Sequence, residues 1–305
     1  MPYFNTVHTN QPLTNLSQRY NWAEGIAEQV FPVLPVAKET DLYYVYSQEG
    51  LRMDETLRAN RAESNVVGQD YSSSTYTLQE HALKELISDR DRLNMDLPLN
   101  LDADATLHLT EKILIRREVE VARLAFTTTN WGQNATIASG SAWDTQTSTP
   151  ISDVLTATTN IMRTGAIRAN RGVMGVQVFN RLKVHSTTID RIRYTQLGLV
   201  TEDLLGPLFD LDKVLVGKSV RNTNAEGVAA SNSFIWGSDM LVYNYAERPS
   251  LRSASAGYIL QIGTSFRVKK WREEKLGGDF VEVSTMFLPR AVATSAAYLI
   301  KQAIT

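Results

Sequence analysis

Apolar and polar positions in the first part of the chain predict two β-strands that flank a long polar excursion. Residues 35–48 and 71–78 are rich in β-branched and aromatic side chains, which favour strands. Between them, residues 49–70 are largely charged and polar. An isolated two-stranded hairpin of this length is marginal in water, so we expect its tip to lie on a neighbouring molecule.

Helical periodicity extends furthest between residues 104 and 126, where apolar residues form one stripe and charges of both signs occupy the other faces. The stripe consists of Leu107, Leu114, Val121 and Leu124. Asp102 and Asp104 suit the start of this helix. Shorter helices are predicted at residues 78–88, 150–165 and 201–209, with a charged turn at residues 89–92.

The other segments complete a mixed pattern. Residues 1–34 are mostly polar, which is typical of an arm rather than a domain. Strands are predicted at residues 173–179, 213–220, 234–245, 258–262, 266–270 and 280–283. The order is a hairpin, a long helix, a mixed unit and then antiparallel strands. It indicates an α+β fold whose domains are not contiguous in sequence.

Composition and charge exclude several classes of protein. The 305-residue chain has no cysteine, which excludes disulfides, thiol catalysis and cysteine-ligated zinc. Its formal net charge of -2 argues against coating nucleic acid as its main task, although local contact stays open. The first residues lack the pattern of an export signal, and no apolar run approaches the ~20 residues of a membrane span. We expect a protein that has no membrane partner.

Residues able to bind metal or carry catalysis form no recognisable motif. The four histidines lie far apart and lack the spacing of a metal-binding helix: His8, His81, His108 and His185. The pairs Asp102/Asp104 and Asp210/Asp212 suit a helix start and a turn better than acid–base chemistry. Residues 172–175 lack the third glycine of a dinucleotide motif and the Lys-Ser/Thr of a phosphate loop. We therefore predict no catalytic residue, no cofactor and no metal.

Charged and aromatic residues of the hairpin and the long helix are candidates for contacts with a neighbouring molecule. Arginines occur in both elements and are interleaved with acids in each. Ion pairs between or within chains explain this pattern better than a nucleic-acid patch. The predicted interface residues are Tyr44, Arg52, Asp54, Arg58, Arg61, Glu63, Arg116 and Arg117.

Five short stretches occur along the chain in an order that is informative about its family. They are residues 31–35 (FPVLP), 58–61 (RANR), 172–180 (GVMGVQVFN), 211–217 (LDKVLVG) and 233–239 (SFIWGSD). Together with the order of elements, they resemble the Hong Kong 97-type fold of tailed-phage capsid proteins. The resemblance covers nearly the whole chain.

The resemblance implies four parts within an α+β fold. They are an N-terminal arm (1–34), an extended β-hairpin or E-loop (35–78), a peripheral domain (79–134 and 249–287) with a spine helix (104–126), and an axial domain (135–248 and 288–305). The apolar stretch at residues 288–300 is expected to pack back on the axial domain.

The resemblance also implies a function without catalysis. The chain is expected to be a major capsid protein whose hexamers and pentamers form an icosahedral head around double-stranded DNA. It would assemble in the host bacterial cytoplasm and reside in the virion. Only about 34 residues precede the hairpin, so a separate scaffolding protein is expected besides a portal, and non-specific contact with packaged DNA stays open. The alternatives are an encapsulin-type compartment shell and a soluble enzyme whose site is not recognised.

Some members of this family weld their shells through Lys–Asn isopeptide bonds from the hairpin arm. Here residues 35–78 contain a single lysine, Lys38, near the base of the arm. We therefore predict that no such cross-link forms, and that denaturing gels of mature particles show this chain as a monomer. A ladder of covalent oligomers would contradict the prediction.

Overall fold

The computed structural model describes residues 13–14, 16–17, 22, 25–46, 53–68, 71–94, 100–192, 200–225, 227–246, 255–263 and 266–304. Within these residues, two five-stranded sheets form the body, and two further sheets have two strands each. The strands are β1 (Val33–Val36), β2 (Thr40–Tyr46), β3 (Tyr71–Thr77), β4 (Gln79–Ser88), β5 (Asn134–Thr136), β6 (Arg171–Gly175), β7 (Lys213–Gly217), β8 (Val220–Asn222), β9 (Asn232–Phe234), β10 (Met240–Tyr243), β11 (Gly257–Ile262), β12 (Arg267–Glu273), β13 (Gly278–Ala291) and β14 (Ala297–Lys301). The helices are α1 (Ala27–Val30), α2 (Asp89–Leu93), α3 (Leu101–Phe126), α4 (Pro150–Gly165), α5 (Val176–Val184), α6 (Ser186–Ile192) and α7 (Glu202–Leu208).

Strand β13 organises the first sheet. It is 14 residues long, and β4 pairs antiparallel with most of its length. On its other edge, β12 pairs with its first half and β11 with its last residues, and β1 adds a parallel strand beyond β11. Alternate residues of β13, namely Val281, Val283 and Phe287, are buried in the core that α3 helps to form. One face of this sheet is therefore covered by the long helix.

The helix predicted at residues 78–88 is wrong, because residues 79–88 form strand β4. The segment is rich in Leu, Glu, Lys and Ala, which favour helices, but all ten strand residues pair with β13. Pairing along the whole strand outweighs local helix propensity. Only Ile87 is buried in β4, while Leu83 and Leu86 stay exposed. The apolar residues therefore do not form the buried stripe that a helix would need.

The charged segment after β4 is more regular than the predicted turn, because it forms helix α2. The Ser88 hydroxyl accepts a hydrogen bond from the Asp91 N–H at 3.1 Å, and the Asp91 carboxylate accepts one from the Ser88 hydroxyl at 2.6 Å. The Asp91 carboxylate also accepts from the Ser88 backbone N–H. This capping box satisfies backbone N–H groups at the start of the helix, so that a short run of alternating charges can form a helical turn.

Helix α3 confirms the long predicted helix but begins earlier, at Leu101. Its cap is Asn100, whose side-chain oxygen accepts a hydrogen bond from the Ala103 N–H at 3.3 Å. Of the predicted stripe, only Val121 is fully buried, and the three leucines are half-buried. The apolar residues that α3 buries are Ala105, Leu109, Ile113, Val121, Ala122 and Ala125. Three of these six are alanines, which suit a helix that contacts strands of both large sheets.

The second sheet has the strand order β5-β14-β10-β6-β7. Helix α4 packs on it through four buried apolar residues at helical spacing: Ile151, Val154, Ala157 and Ile161. The last strand, β14, lies between β5 and β10, so the end of the described chain returns to this sheet.

Predicted strands in the second half of the chain are present with different bounds. Residues 173–179 divide into β6, which ends at Gly175, and α5, which begins at Val176. The buried residues Val178, Phe179 and Leu182 have helical spacing, and a short apolar run alone does not distinguish helix from strand. Residues 213–220 and 234–245 likewise each divide between two strands. Strand β5 and helix α6 were not predicted.

Candidate assembly surfaces

The hairpin arm consists of β2, β3 and the tip between them, described for residues 53–68. β2 and β3 pair in antiparallel register from Thr40 and Thr77 to Tyr46 and Tyr71, so the two strands predicted to flank the tip are confirmed. The predicted first strand also contains part of β1, which belongs to the first sheet instead. The arm thus leaves the body between β1 and β4.

Side chains at the tip are not covered by their own subunit. Met53, Leu57 and Val66 are 97%, 86% and 97% exposed. Isolated apolar side chains on a surface are ordinary, but several nearly fully exposed ones on one thin excursion indicate a contact surface. The exposed apolar side chains of this mostly polar tip, which we call the apolar tip, therefore form a candidate assembly surface.

Hydrogen bonds inside the tip give it a defined shape. The Arg58 guanidinium donates to the Ala62 carbonyl at 2.5 Å and to the Ser64 hydroxyl at 3.3 Å. The Asn65 amide donates to the Glu55 carbonyl at 2.9 Å, across the excursion. The chain reverses at Arg61, whose φ of 67° lies in the left-handed region. The tip is therefore a loop with a defined conformation, which is held by its own hydrogen bonds and reverses at Arg61.

The base of the arm is fixed on the body. Tyr76 and Leu78 are buried with Tyr258 and Leu260 of the first sheet, and half-buried apolar residues surround them. The Tyr76 hydroxyl donates to the Lys38 carbonyl at 3.3 Å. Burial, followed by the nearby Asp41 carboxylate, raises the pKa of Tyr76. A fixed base and an exposed tip let the arm reach outward at a set angle.

Most predicted interface residues lie on the hairpin arm. Asp54, Arg58, Arg61 and Glu63 all lie in the exposed tip, while Arg52 lies outside the described residues. Tyr44 lies in β2, where its backbone is paired with Ser73. Arg116 lies on α3, where its exposed side chain forms an ion pair with Glu120 at 2.8 Å.

Arg117 corrects the prediction, because the structure places it inside its own subunit. Its side chain is only 2% exposed, against 62% for Arg116. It pairs with Glu28, donates to the Gln261 side-chain oxygen at 3.1 Å and lies over the Phe287 ring. Burial lowers the pKa of Arg117, and the nearby Glu28 and Glu118 oppose that effect. This arginine joins the N-terminal segment, α3 and the first sheet.

Glu118, beside it, is the centre of a buried polar cluster that sequence reasoning missed. Its carboxylate accepts hydrogen bonds from the N–H groups of Ile26 (3.0 Å) and Ala27 (2.9 Å) at the start of α1. It also accepts from the Trp236 indole N–H at 2.7 Å and the Ser219 hydroxyl at 3.4 Å. We call these five residues the Glu118 cluster. Residues predicted to belong to a polar arm are thereby fixed in the core, where Phe31 is also buried.

Two opposing effects act on the pKa of Glu118, namely burial and the hydrogen bonds that its carboxylate accepts. Burial raises the pKa of this carboxyl group, and the hydrogen bonds from Ile26, Trp236, Ala27 and Ser219 oppose the shift. A sequence signal for this position does exist. Glu118 lies four residues after Leu114 and three before Val121, so it interrupts the predicted apolar stripe at helical spacing.

Two of the described histidines, His81 and His185, occupy structural positions, whereas His108 is exposed on α3. His185 is buried, with its ring nitrogens beside the hydroxyls of Ser148 (3.0 Å) and Thr187 (2.8 Å). His81 stacks on Phe287, and burial lowers the pKa of His81. Among the described residues, no three His, Asp or Glu side chains group in a way that would hold a metal ion. None of the helices in the described part of the chain combines the length and apolar character that crossing a bilayer requires.

Comparison with known sequences gives two relatives with the same name. The chain is 29% identical over 297 residues to the major capsid protein of Burkholderia phage BcepMu, with 94% of each chain covered. It is 26% identical over 230 residues to the major capsid protein of Pseudomonas phage JBD67, which covers 74% of this chain and 73% of the relative. No protein-family model matches the chain.

Solved structures share the fold at low sequence identity. A phage-related protein from Bordetella bronchiseptica superposes with a TM-score of 0.79 at 22% identity, over 98% of both chains. The capsid of cyanophage P-SCSP1u gives 0.63 at 10% identity, over 99% of this chain and 92% of that one. The SrpI encapsulin of Synechococcus elongatus gives 0.54 at 12% identity, over 99% and 92%.

The chain therefore has the Hong Kong 97-type fold of phage capsid proteins, as the sequence resemblance implied. It is a homologue of the major capsid proteins of tailed bacteriophages.

Replacing Glu118 by Ala should destabilise the subunit strongly. Three N–H donors and one hydroxyl would lose their buried acceptor, and each unsatisfied buried group costs about 1–3 kcal/mol. We expect the free energy of unfolding of the purified, unassembled chain to fall by about 3 kcal/mol or more, measured by chemical denaturation. Glu111→Ala, at a half-buried site on the same helix, is the matched control and should cost less than about 1 kcal/mol. Equal losses in both variants would contradict the role of the cluster.

Proposed function

We propose that this chain is the major subunit of an icosahedral phage head, in which hexamers and pentamers enclose double-stranded DNA. The observation that carries the proposal is the hairpin arm, whose base is buried on its own body while its apolar tip is almost fully exposed. The names of the two sequence relatives support it.

The arm would act by lying across a neighbouring copy. A contact of this kind buries on the order of 1,000 Å², which is modest for a specific interface. In a closed shell every subunit both gives and receives an arm. Many modest contacts then act together, because each bound arm holds the next contacts at high effective concentration.

The open face of the first sheet offers a receiving surface. Leu86, Phe280 and Trp271 lie side by side across β4, β13 and β12, on the face away from α3. Leu86 is exposed and the two aromatic rings are half-buried, with the Lys84 ammonium 4.5 Å from the centre of the Phe280 ring. We place the apolar side chains of a neighbouring tip on this row, because both surfaces gain from leaving water.

The proposal includes further partners and a place of assembly. We infer that a separate scaffolding protein guides closure, that a portal occupies one vertex, and that the head assembles in the host bacterial cytoplasm. Catalysis has no part in this function, which depends on geometry and on the free energy of the interfaces.

An encapsulin-type compartment is the second candidate, since the SrpI encapsulin shares the fold. The sequence relatives favour the phage head, because both are named as phage capsid proteins. Electron microscopy separates the two. DNA-filled shells with a tail vertex support the phage head, and small uniform shells loaded with protein support the compartment. A stable monomer under all conditions would instead favour an enzyme.

Replacing residues 53–68 by a short Gly-Ser linker should leave the subunit folded but prevent shell closure. The exposed tip contributes nothing to the core of its own subunit, so the melting temperature should stay within a few degrees of the unaltered chain. Closure is read by electron microscopy under conditions in which the unaltered chain forms particles. If the deletion unfolds the subunit, the arm does not have the role proposed.

A matched pair of substitutions refines this test. Leu57→Ser in the tip should reduce the yield of closed shells, whereas Leu276→Ser, at another exposed leucine, should not. Normal assembly of the Leu57 variant would remove the apolar tip from the proposed contact.

A further inference from the structure

The solvent-facing side of α3 carries a line of basic side chains. Four exposed residues make up this basic ridge: His108, Lys112, Arg116 and Arg123. At 3.6 residues per turn, their positions fall within an arc of about 80° around the helix axis. At 1.5 Å per residue, the ridge is about 22 Å long. The half-buried residue Val119 lies within the arc, and the half-buried Ile115 lies about 20° outside it.

Acidic residues of the same helix segment leave Lys112 and Arg123 without an ion pair. Glu118 is buried in its cluster, and Glu120 is buried and forms an ion pair with Arg116. Glu111 is half-buried, at about 60° from His108 and outside the arc. Asp104 is exposed but precedes the ridge by one turn. The interleaving of acids and bases, which argued against a nucleic-acid patch, is thus a property of the sequence and not of the exposed surface.

A rigid row of basic side chains fits an extended polyanion. Over about 22 Å, a DNA duplex presents about 13 phosphates, more than enough to pair with Lys112 and Arg123. Lys112 and Arg123 form no ion pair within the described part of the chain that would compete for such a contact. Since the whole chain has a net charge of -2, the ridge is a local feature and not a consequence of overall charge.

We propose that the basic ridge binds the phosphate backbone of double-stranded DNA without reading its sequence. This inference rests on the proposed function, since it requires that the side of α3 that is turned away from the first sheet faces the inside of the shell. Backbone contacts of this kind position a protein on DNA but carry no sequence information. Because each contact with a phosphate displaces counterions from the DNA, binding should weaken steeply as the salt concentration rises.

The test is the binding of the full-length, unassembled chain to a short fluorescent DNA duplex, followed by anisotropy over a range of salt concentrations. The ridge variant is Lys112→Gln with Arg123→Gln, which leaves Arg116 and its ion pair unchanged. Losing two phosphate contacts should reduce the slope of log affinity against log salt by about 2. At moderate salt, affinity should fall by about tenfold or more.

The matched control is Arg163→Gln with Arg181→Gln, which removes the same charge from exposed sites on α4 and α5. Its slope should stay that of the unaltered chain. A second variant, Lys112→Arg with Arg123→Lys, keeps the charge and should keep the affinity. Equal losses in the ridge and control variants, or tighter binding of poly-glutamate than of DNA at the ridge, would overturn the proposal.

Electron micrographs of the ridge variant separate this inference from the proposed function. We expect closed shells together with weakened DNA binding. Closed shells with unchanged DNA binding overturn the ridge alone. Loss of shells with unchanged DNA binding makes the ridge a contact between copies, which also overturns the inference. Failure of the unaltered chain to form shells under any condition contradicts the proposed function instead.

Discussion

The carboxylate of Glu118 is the constraint on which the body of this protein depends. It is buried in α3, and it accepts hydrogen bonds from the backbone of Ile26 and Ala27 and from the indole of Trp236. One group therefore joins the N-terminal segment, the long helix and the chain that leads into the second sheet. A buried charge without these donors is strongly unfavourable, so the three parts are held in a single arrangement. Arg117, one residue earlier, extends the same linkage to Glu28 and the first sheet.

The body is thus fixed by contacts within the subunit, whereas the hairpin arm has apolar side chains that remain exposed to solvent. The arm takes its direction from the buried packing of Tyr76 and Leu78, and it presents apolar side chains that its own subunit does not cover. Burying such side chains yields about 25 cal/mol per Å², a gain available only through another molecule. The same fold thus separates two tasks. The core fixes the subunit, and the arm joins it to copies of itself.

Sequence reasoning predicted the elements whose patterns are local and missed those set by distant pairing. The hairpin strands, helix α4 and most of α3 follow from β-branched content or helical spacing. Strand β4 does not, because ten residues with helical propensity are held extended by β13, which lies far along the chain. The burial of Arg117 and Glu118 was missed for a related reason. Charged residues are expected on the surface, and the partners of these two come from segments about 90 residues earlier and between 101 and 144 residues later. The exposed tip was predictable because it lacks a core of its own.

The most direct measurement is an electron cryo-microscopy map of assembled particles at side-chain resolution. We expect each tip, residues 53–68, to be ordered against a neighbouring copy, on or beside the row of Leu86, Phe280 and Trp271. We also expect Glu118 to keep its hydrogen bonds to Ile26 and Ala27 within the same subunit. A tip folded back on its own subunit, with closed shells held together by other surfaces, would show that the arm does not join the copies.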